Sequence, residues 1–134
     1  MAKLSYVEGI GEVYAAKLRA VGVGSTDSLL KVGSTSKGRK ELAEAAGVSD
    51  KLILEWVNHV DLFRIKGVGQ EYADLLEEAG VDTVPELAQR NSENLYAKLV
   101  EVNQQKKLVR VLPSTVKVRS WVTQAKSMPR VIKY

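Results

Sequence analysis

The sequence predicts an all-α protein built from two similar halves. Apolar residues recur at helical spacing along the chain, and no stretch alternates apolar and polar residues as a half-buried strand does. The segment Gly9–Val23 recurs as Gly67–Val81 with seven identities in 15 positions, and the related pentapeptides WVNHV and WVTQA follow the two copies. A repeat of this kind indicates a duplicated unit. We therefore predict two domains, residues 1–62 and 63–134, each with about five short helices.

Each copy of the repeat opens a helix. After Gly11, apolar side chains at Tyr14, Ala15 and Leu18 follow helical spacing, and Gly22 ends the helix. The first half continues with a connector helix around Ser28 and a helix over residues 37–46. Ser49 is predicted to cap the fourth helix. The apolar face of that helix comprises Leu52, Ile53, Trp56, Val57 and Val60.

The second half repeats this order of helices. Asp82 or Thr83 is predicted to cap a connector helix that has Pro85 in its first turn. Ser92 opens the next helix, and Ser114 opens the last one. The apolar face of the last helix comprises Val118, Trp121, Val122 and Ala125.

Composition excludes several classes of protein. The chain has no cysteine, so disulfides, thiolate catalysis and cysteine-based metal sites are excluded. Hydrophobic residues make up 45% of the sequence, which is enough for a packed core. The first residues lack the apolar run of a secretory signal, and no segment approaches the roughly 20 apolar residues of a membrane helix. We expect a soluble, cytoplasmic protein with no membrane partner.

Charge is distributed unevenly along the chain. Residues 1–101 hold 12 basic and 16 acidic side chains, a net charge of −4, whereas residues 102–134 hold eight basic side chains and no acid. This asymmetry predicts either an anionic partner for the C-terminal third or docking of that third on the acidic remainder.

The glycine-containing repeat resembles the helix-hairpin-helix motif, whose pattern is apolar-x-x-Gly-apolar-Gly-x-x-x-Ala-x-x-Leu. The first copy fits this pattern with Val7, Gly9, Ile10, Gly11, Ala15 and Leu18. The second copy fits it with Ile65, Gly67, Val68, Gly69, Ala73 and Leu76. Nearly end to end, the chain resembles a bacterial family of tandem helix-hairpin-helix proteins that carry a domain of unknown function. Related segments are similar to the helix-three-turn-helix element of flap endonucleases.

The resemblance implies sequence-independent DNA binding. Glycines permit a tight turn, and amide groups at the start of the following helix can face a phosphate. Such contacts ignore base identity and weaken with salt. The candidate nucleic-acid contacts are Gly67, Val68, Gly69 and Lys66, then Gly9, Ile10 and Gly11, and finally the basic residues Lys106, Lys107, Arg110, Lys117 and Arg119.

The two hairpins differ in the charges beside them. Glu8 and Glu12 flank the first glycine pair, and carboxylates there oppose an anion. Lys66 precedes the second pair and Gln70 follows it, although Glu71 is also close. The second hairpin is therefore the favoured phosphate site, and the first is interpreted mainly as a structural turn.

Catalysis finds little support in the sequence. His59 is the single histidine, and no carboxylate cluster typical of a metal-dependent nuclease is evident. The segment Gly33–Lys40 resembles a phosphate-binding P-loop but has Arg39 in place of the lysine, so we interpret it as a loop whose Lys37, Arg39 and Lys40 are candidate phosphate contacts. We expect no catalytic residue, metal or cofactor.

Two other classes of function stay open. The first is a protein-interaction or scaffold module that keeps the fold without binding DNA, and the second is a nuclease fragment that acts with another subunit. The sequence leaves the oligomeric state open.

Overall fold

The computed structural model describes residues 3–134, and all regular structure in this range is helical. The elements are a 3-10 helix (Leu4–Tyr6), α1 (Glu12–Ala20), α2 (Thr26–Val32), α3 (Ser36–Ala46), α4 (Asp50–Leu62), α5 (Gln70–Glu78), α6 (Val84–Ala88), α7 (Ser92–Lys106) and α8 (Thr115–Ser127). The all-α prediction is confirmed.

Within residues 3–134, the first half has five helical elements when the 3-10 helix is counted, as predicted, and the second half has four. A single turn precedes each glycine pair. In the first turn the Val7 N–H donates to the Leu4 carbonyl at 3.0 Å, and in the second the Ile65 N–H donates to the Leu62 carbonyl at 3.1 Å. These turns are too short for a further α-helix, because an α-helical bond needs an acceptor four residues back.

Side-chain caps set several helix starts. The Ser49 and Ser114 hydroxyls accept hydrogen bonds from backbone N–H groups in the first turns of α4 and α8, at 3.1 Å in both cases, as predicted. Helix α7 begins at Ser92, as predicted, and Asn91 caps it, since Asn91 Oδ1 accepts from the Asn94 N–H at 3.0 Å.

The start of α6 differs from the prediction. Thr83 is the N-cap residue, but its side chain makes no capping bond. Its hydroxyl lies 3.4 Å from a carboxylate oxygen of Glu86 instead, and the same carboxylate accepts from the Asp82 N–H at 3.3 Å. Glu86 therefore reaches back to the segment before the helix, and neither the Asp82 nor the Thr83 side chain caps α6.

The chain divides into two compact units. The first unit runs up to Asp61 and also includes Val131–Tyr134, whereas the second is continuous from Leu62 to Arg130. The predicted duplication stays a prediction, although each unit contains one of the two glycine pairs. None of the helices between residues 3 and 134 is long and apolar enough to cross a membrane.

The first unit has a core in which α1 packs against α3 and the 3-10 helix, and α2 packs against α3. Of the predicted apolar face of α4, Leu52 is partly buried and the other four residues are buried, with Trp56 2% exposed. His59, on the same helix, is also 2% exposed, so it is a core residue.

Hydrogen bonds of Arg39 hold the segment Val131–Tyr134 in the first unit. The guanidinium donates to the Gly33 carbonyl at 2.8 Å and to the Lys133 carbonyl at 3.0 Å, and the Lys133 N–H donates to the Ser34 carbonyl at 2.7 Å. The Ile132 side chain is buried beside it. Arg39 is 5% exposed. Its guanidinium, a candidate phosphate contact in the sequence analysis, is thus hydrogen-bonded to backbone carbonyls of the protein itself.

In the second unit, α8 packs against α6 and α7, and α5 packs against α7. The predicted apolar face of α8 is buried in this core, with Trp121 1% exposed. A hydrogen bond of 2.6 Å from Arg64 Nη2 to the Pro129 carbonyl joins the beginning of the unit to its end.

Candidate nucleic-acid interface

The two glycines of each hairpin have different conformations. Gly9 and Gly67 have φ angles of +92° and +96°, which L side chains rarely adopt. Gly11 and Gly69 have extended backbones and are the N-cap residues of α1 and α5. The first glycine therefore makes the turn, and the second is the N-cap residue from which the helix begins.

The residue between the two glycines points inward in both hairpins. Ile10 and Val68 are 3% and 5% exposed. Their N–H groups donate to the Val7 and Ile65 carbonyls, each at 3.1 Å. The side chains and amides of Ile10 and Val68 thus stabilise the turn. The amides best suited to binding an anion are those in the first turn of the helix that follows, because they have no acceptor within the helix.

A tryptophan lies under each hairpin. A Cβ added at Gly9 would lie 3.5 Å from Trp56 Nε1, and one added at Gly67 would lie 3.2 Å from Trp121 Nε1. The tyrosine in the following helix packs against the same indole. The ring centroids are 5.1 Å apart for Tyr14 and Trp56 and 5.3 Å apart for Tyr72 and Trp121.

Gln124 of α8 holds the backbone of Lys66. The Lys66 N–H donates to Gln124 Oε1 at 2.9 Å, and Gln124 Nε2 donates to the Lys66 carbonyl at 3.1 Å. This paired contact attaches the second hairpin to α8, while Lys66 itself remains exposed to solvent.

Lys117 is brought to the start of α5. Its Nζ lies 5.9 Å from the centroid of the Tyr72 ring, and the Tyr72 hydroxyl donates to the Val111 carbonyl at 3.0 Å. Since Tyr72 is in the first turn of α5 and packs on the Trp121 indole beside Gly67, Lys66 and Lys117 both belong to the surroundings of the second glycine turn.

The remaining basic candidates are spread out. Lys106 forms an ion pair with Glu78, the last residue of α5, at the end of that helix opposite the hairpin. Lys107 ends α7 in a left-handed conformation with φ of 51°. Arg110 lies in the connection between α7 and α8, and both Lys107 and Arg110 are exposed.

An open surface depression of about 450 Å³ lies along one exposed face of α8. It is lined by Val116, Arg119, Ser120, Thr123, Gln124 and Ser127. Of these residues, only Arg119 was a candidate nucleic-acid contact.

The first hairpin has a different charge environment. Glu8 and Glu12 are exposed on either side of its glycines. Arg19 lies 3.5 Å from the Glu12 carboxylate, with both side chains largely in solvent. An exposed pair of this kind contributes little to stability and only partly offsets the negative charge at the hairpin.

Acidic side chains gather where α5 leads into α6. Burial raises the pKa of the Asp82 carboxyl, and the nearby charges of Glu86 and Glu77 raise it further. Within the part of the chain that the structure describes, no three His, Asp or Glu side chains are arranged to hold a metal ion.

The regular structure of residues 3–134 is all helical, and each of the two Gly-x-Gly hairpins lies next to a tryptophan. Residues 8–128 match the family described as Domain of unknown function (DUF4332), and the chain belongs to this family. No curated protein and no solved structure matches the chain.

Proposed function

We propose that this protein binds DNA without catalysing a reaction and without regard to base sequence, through a second hairpin that contacts backbone phosphates. The proposal includes two tandem helix-hairpin-helix units related by duplication and a cytoplasmic location. The observation that carries it is the Gly67 turn at the start of α5, with Lys66 next to it in the chain and Lys117 over the ring of Tyr72 in the first turn of α5.

Each part of this cluster suits a phosphate. The start of α5 has the positive end of the helix dipole, and its first N–H groups have no acceptor within the helix. Gln124 binds the backbone N–H and carbonyl of Lys66 and thereby fixes this residue beside the turn. The side-chain ammonium group of Lys66 takes no part in these two hydrogen bonds. Glu71 is the one acid in the first turn of α5, and it reduces the attraction.

The alternative function is a protein-interaction or scaffold module. Glu8 and Glu12 at the first hairpin favour it, because carboxylates there repel phosphate. The ion pair between Lys106 and Glu78 also favours it, since this lysine is already neutralised within the second unit.

Fluorescence anisotropy with labelled duplex DNA at low and moderate salt tests the proposal. We expect binding that weakens with salt, and a loss of affinity of roughly tenfold for Lys66→Glu. Lys31→Glu, an exposed charge reversal on α2, is the matched control and should have a much smaller effect. Absence of micromolar binding at low salt, or equal losses for both variants, would overturn the proposal.

A further inference from the structure

We infer that the first unit contains a recognition site for a short peptide segment, and that Val131–Tyr134 of a second copy of this chain fills it when the chain's own segment is displaced. The structure shows this segment in the site, supplied by the same chain. The proposed nucleic-acid contacts of the second hairpin take no part in the interaction, so it is independent of DNA binding.

The contacts to the main chain of this segment are those of peptide recognition. The Lys133 N–H donates to the Ser34 carbonyl at 2.7 Å, and the Lys133 carbonyl accepts from Arg39 Nη2 at 3.0 Å. Both main-chain polar groups of Lys133 are therefore bound, while its side chain is exposed. Contacts of this kind give affinity without regard to the side chain at that position.

The side chains on either side of Lys133 provide selectivity. Ile132 is 2% exposed, so it is the apolar anchor of the segment. Arg39 Cζ lies 5.7 Å from the centroid of the Tyr134 ring, and the Tyr134 hydroxyl donates to Asn58 Oδ1 at 3.3 Å. The site therefore favours an isoleucine, then any residue, then a tyrosine.

The receptor side of the site has hydrogen bonds of its own. Arg39 Nη1 donates to the Gly33 carbonyl at 2.8 Å, which directs the guanidinium. The Ser34 hydroxyl donates to the Lys31 carbonyl at 2.9 Å and fixes the loop after α2. Neither bond involves Val131–Tyr134, so the site keeps both of them when the segment leaves.

Release of the segment leaves the second unit complete. That unit comprises Leu62–Arg130, and Arg64 Nη2 donates to the Pro129 carbonyl at 2.6 Å, so its last residues are held from within it. A segment from a second copy makes the same contacts with the first unit, and the exchange costs mainly the effective concentration that the covalent connection provides. Because every copy carries the sequence seen in the site, a second copy is the partner that the structure supports.

A fluorescently labelled peptide with the sequence of residues 129–134 tests the site by anisotropy. The full-length variant Ile132→Asp places a carboxylate in a buried apolar position and so releases its own segment. We expect this variant to bind the peptide roughly tenfold more tightly than wild type or better, because the wild-type segment competes at a high effective concentration.

Two altered peptides are the matched controls. A peptide with Lys133→Ala should bind about as tightly as the parent, since only the main chain of Lys133 is in contact. A peptide with Ile132→Asp should bind roughly tenfold more weakly or worse, because it lacks the apolar anchor. This pair separates recognition of the segment from attraction by its positive charge.

Mixing two full-length variants tests exchange between copies. Ile132→Asp keeps the site and lacks a competent segment, whereas Arg39→Lys keeps the segment and weakens its own site. Sedimentation velocity should show a complex of one chain of each variant, and much less association of either variant alone. The double variant, which lacks both a full site and a competent segment, should not self-associate.

The outcomes decide each part of the inference. Equal peptide affinity for wild type and Ile132→Asp, or for the parent peptide and its Ile132→Asp form, overturns the peptide site. Peptide binding without association of the two variants overturns the exchange between copies. Circular dichroism checks folding, and Ile132→Ser replaces Ile132→Asp if the latter does not fold.

Discussion

Arg39 Nη2 donates a hydrogen bond of 3.0 Å to the backbone carbonyl of Lys133, 94 positions further along the chain. The same guanidinium holds the Gly33 carbonyl and lies 5.7 Å from the centroid of the Tyr134 ring. One buried cation thus joins a loop before α3 to the segment Val131–Tyr134. This arrangement makes Arg39 a stabilising residue of the first unit.

We predict that Arg39→Lys lowers the free energy of unfolding by about 1–3 kcal/mol, because an ammonium group cannot reproduce the planar fork that serves two carbonyls and leaves one of them unsatisfied. Urea denaturation followed by circular dichroism measures this change. Lys40→Ala alters the neighbouring exposed residue and should cost far less. A similar loss for both variants would contradict the role assigned to Arg39.

The second prediction concerns the glycine turn. Gly67→Ala should lower stability by about 1–3 kcal/mol, since it forces an L residue into a positive φ and places a methyl group against the indole of Trp121. Gly24→Ala is the matched control, because a Cβ there meets nothing within 4 Å and its φ is not in the positive range. The thermal unfolding midpoints of the two variants are compared. Equal midpoints would contradict the prediction, because they would mean that the turn tolerates a side chain.

The third prediction follows from Asp82. Because its folded-state pKa is raised, by burial first and then by Glu86 and Glu77, the fold favours the protonated carboxyl. Stability is therefore lost as pH rises through the ordinary carboxyl pKa towards the folded-state value. Asp82→Asn removes this loss, so we expect a higher thermal midpoint than wild type at pH 7.

The difference should disappear near pH 3, below the ordinary aspartate pKa of about 3.9, where both side chains are uncharged. Glu44→Gln provides the control, because it makes the same change of charge at an exposed position on α3. A midpoint for Asp82→Asn that is unchanged at pH 7, or raised equally at both pH values, would disprove the prediction.

The fourth prediction uses the two tryptophans as reporters. The chain contains only Trp56 and Trp121, and each indole lies beside the first glycine of one hairpin. In a ¹H–¹⁵N correlation spectrum, duplex DNA should shift the indole signal of Trp121 more than that of Trp56, since the proposed contact is at the second hairpin. Trp56→Phe assigns the signals. A larger shift of the Trp56 signal would contradict the preference for the second hairpin.

Local patterns in the sequence were sufficient for much of the fold. The Ser49 and Ser114 caps and the buried face of α8 follow from neighbouring residues, and the structure confirms them. The start of α7 at Ser92 also follows from the sequence, whereas its cap, Asn91, was not predicted, because serine and asparagine stand next to each other and both can accept the same kind of hydrogen bond.

Contacts between distant positions could not be predicted in this way. The Arg39 contact with Lys133 and the Lys106 contact with Glu78 join residues 94 and 28 positions apart, and nothing in the local sequence marks either pair. Among the candidate site residues, Lys66 and Lys117 came from charge and spacing. The neighbouring Gln124 did not, because its importance lies in a backbone contact that only the fold creates.

The division of the chain also affects the order in which it can fold during synthesis. The second unit is continuous, so a ribosome delivers all of its residues in one uninterrupted stretch, Leu62–Arg130. The first unit receives Val131–Tyr134 only after that stretch has been made. Arg39 must therefore wait for its Lys133 acceptor until 94 further residues have been translated. The half that is synthesised first is the half that is completed last.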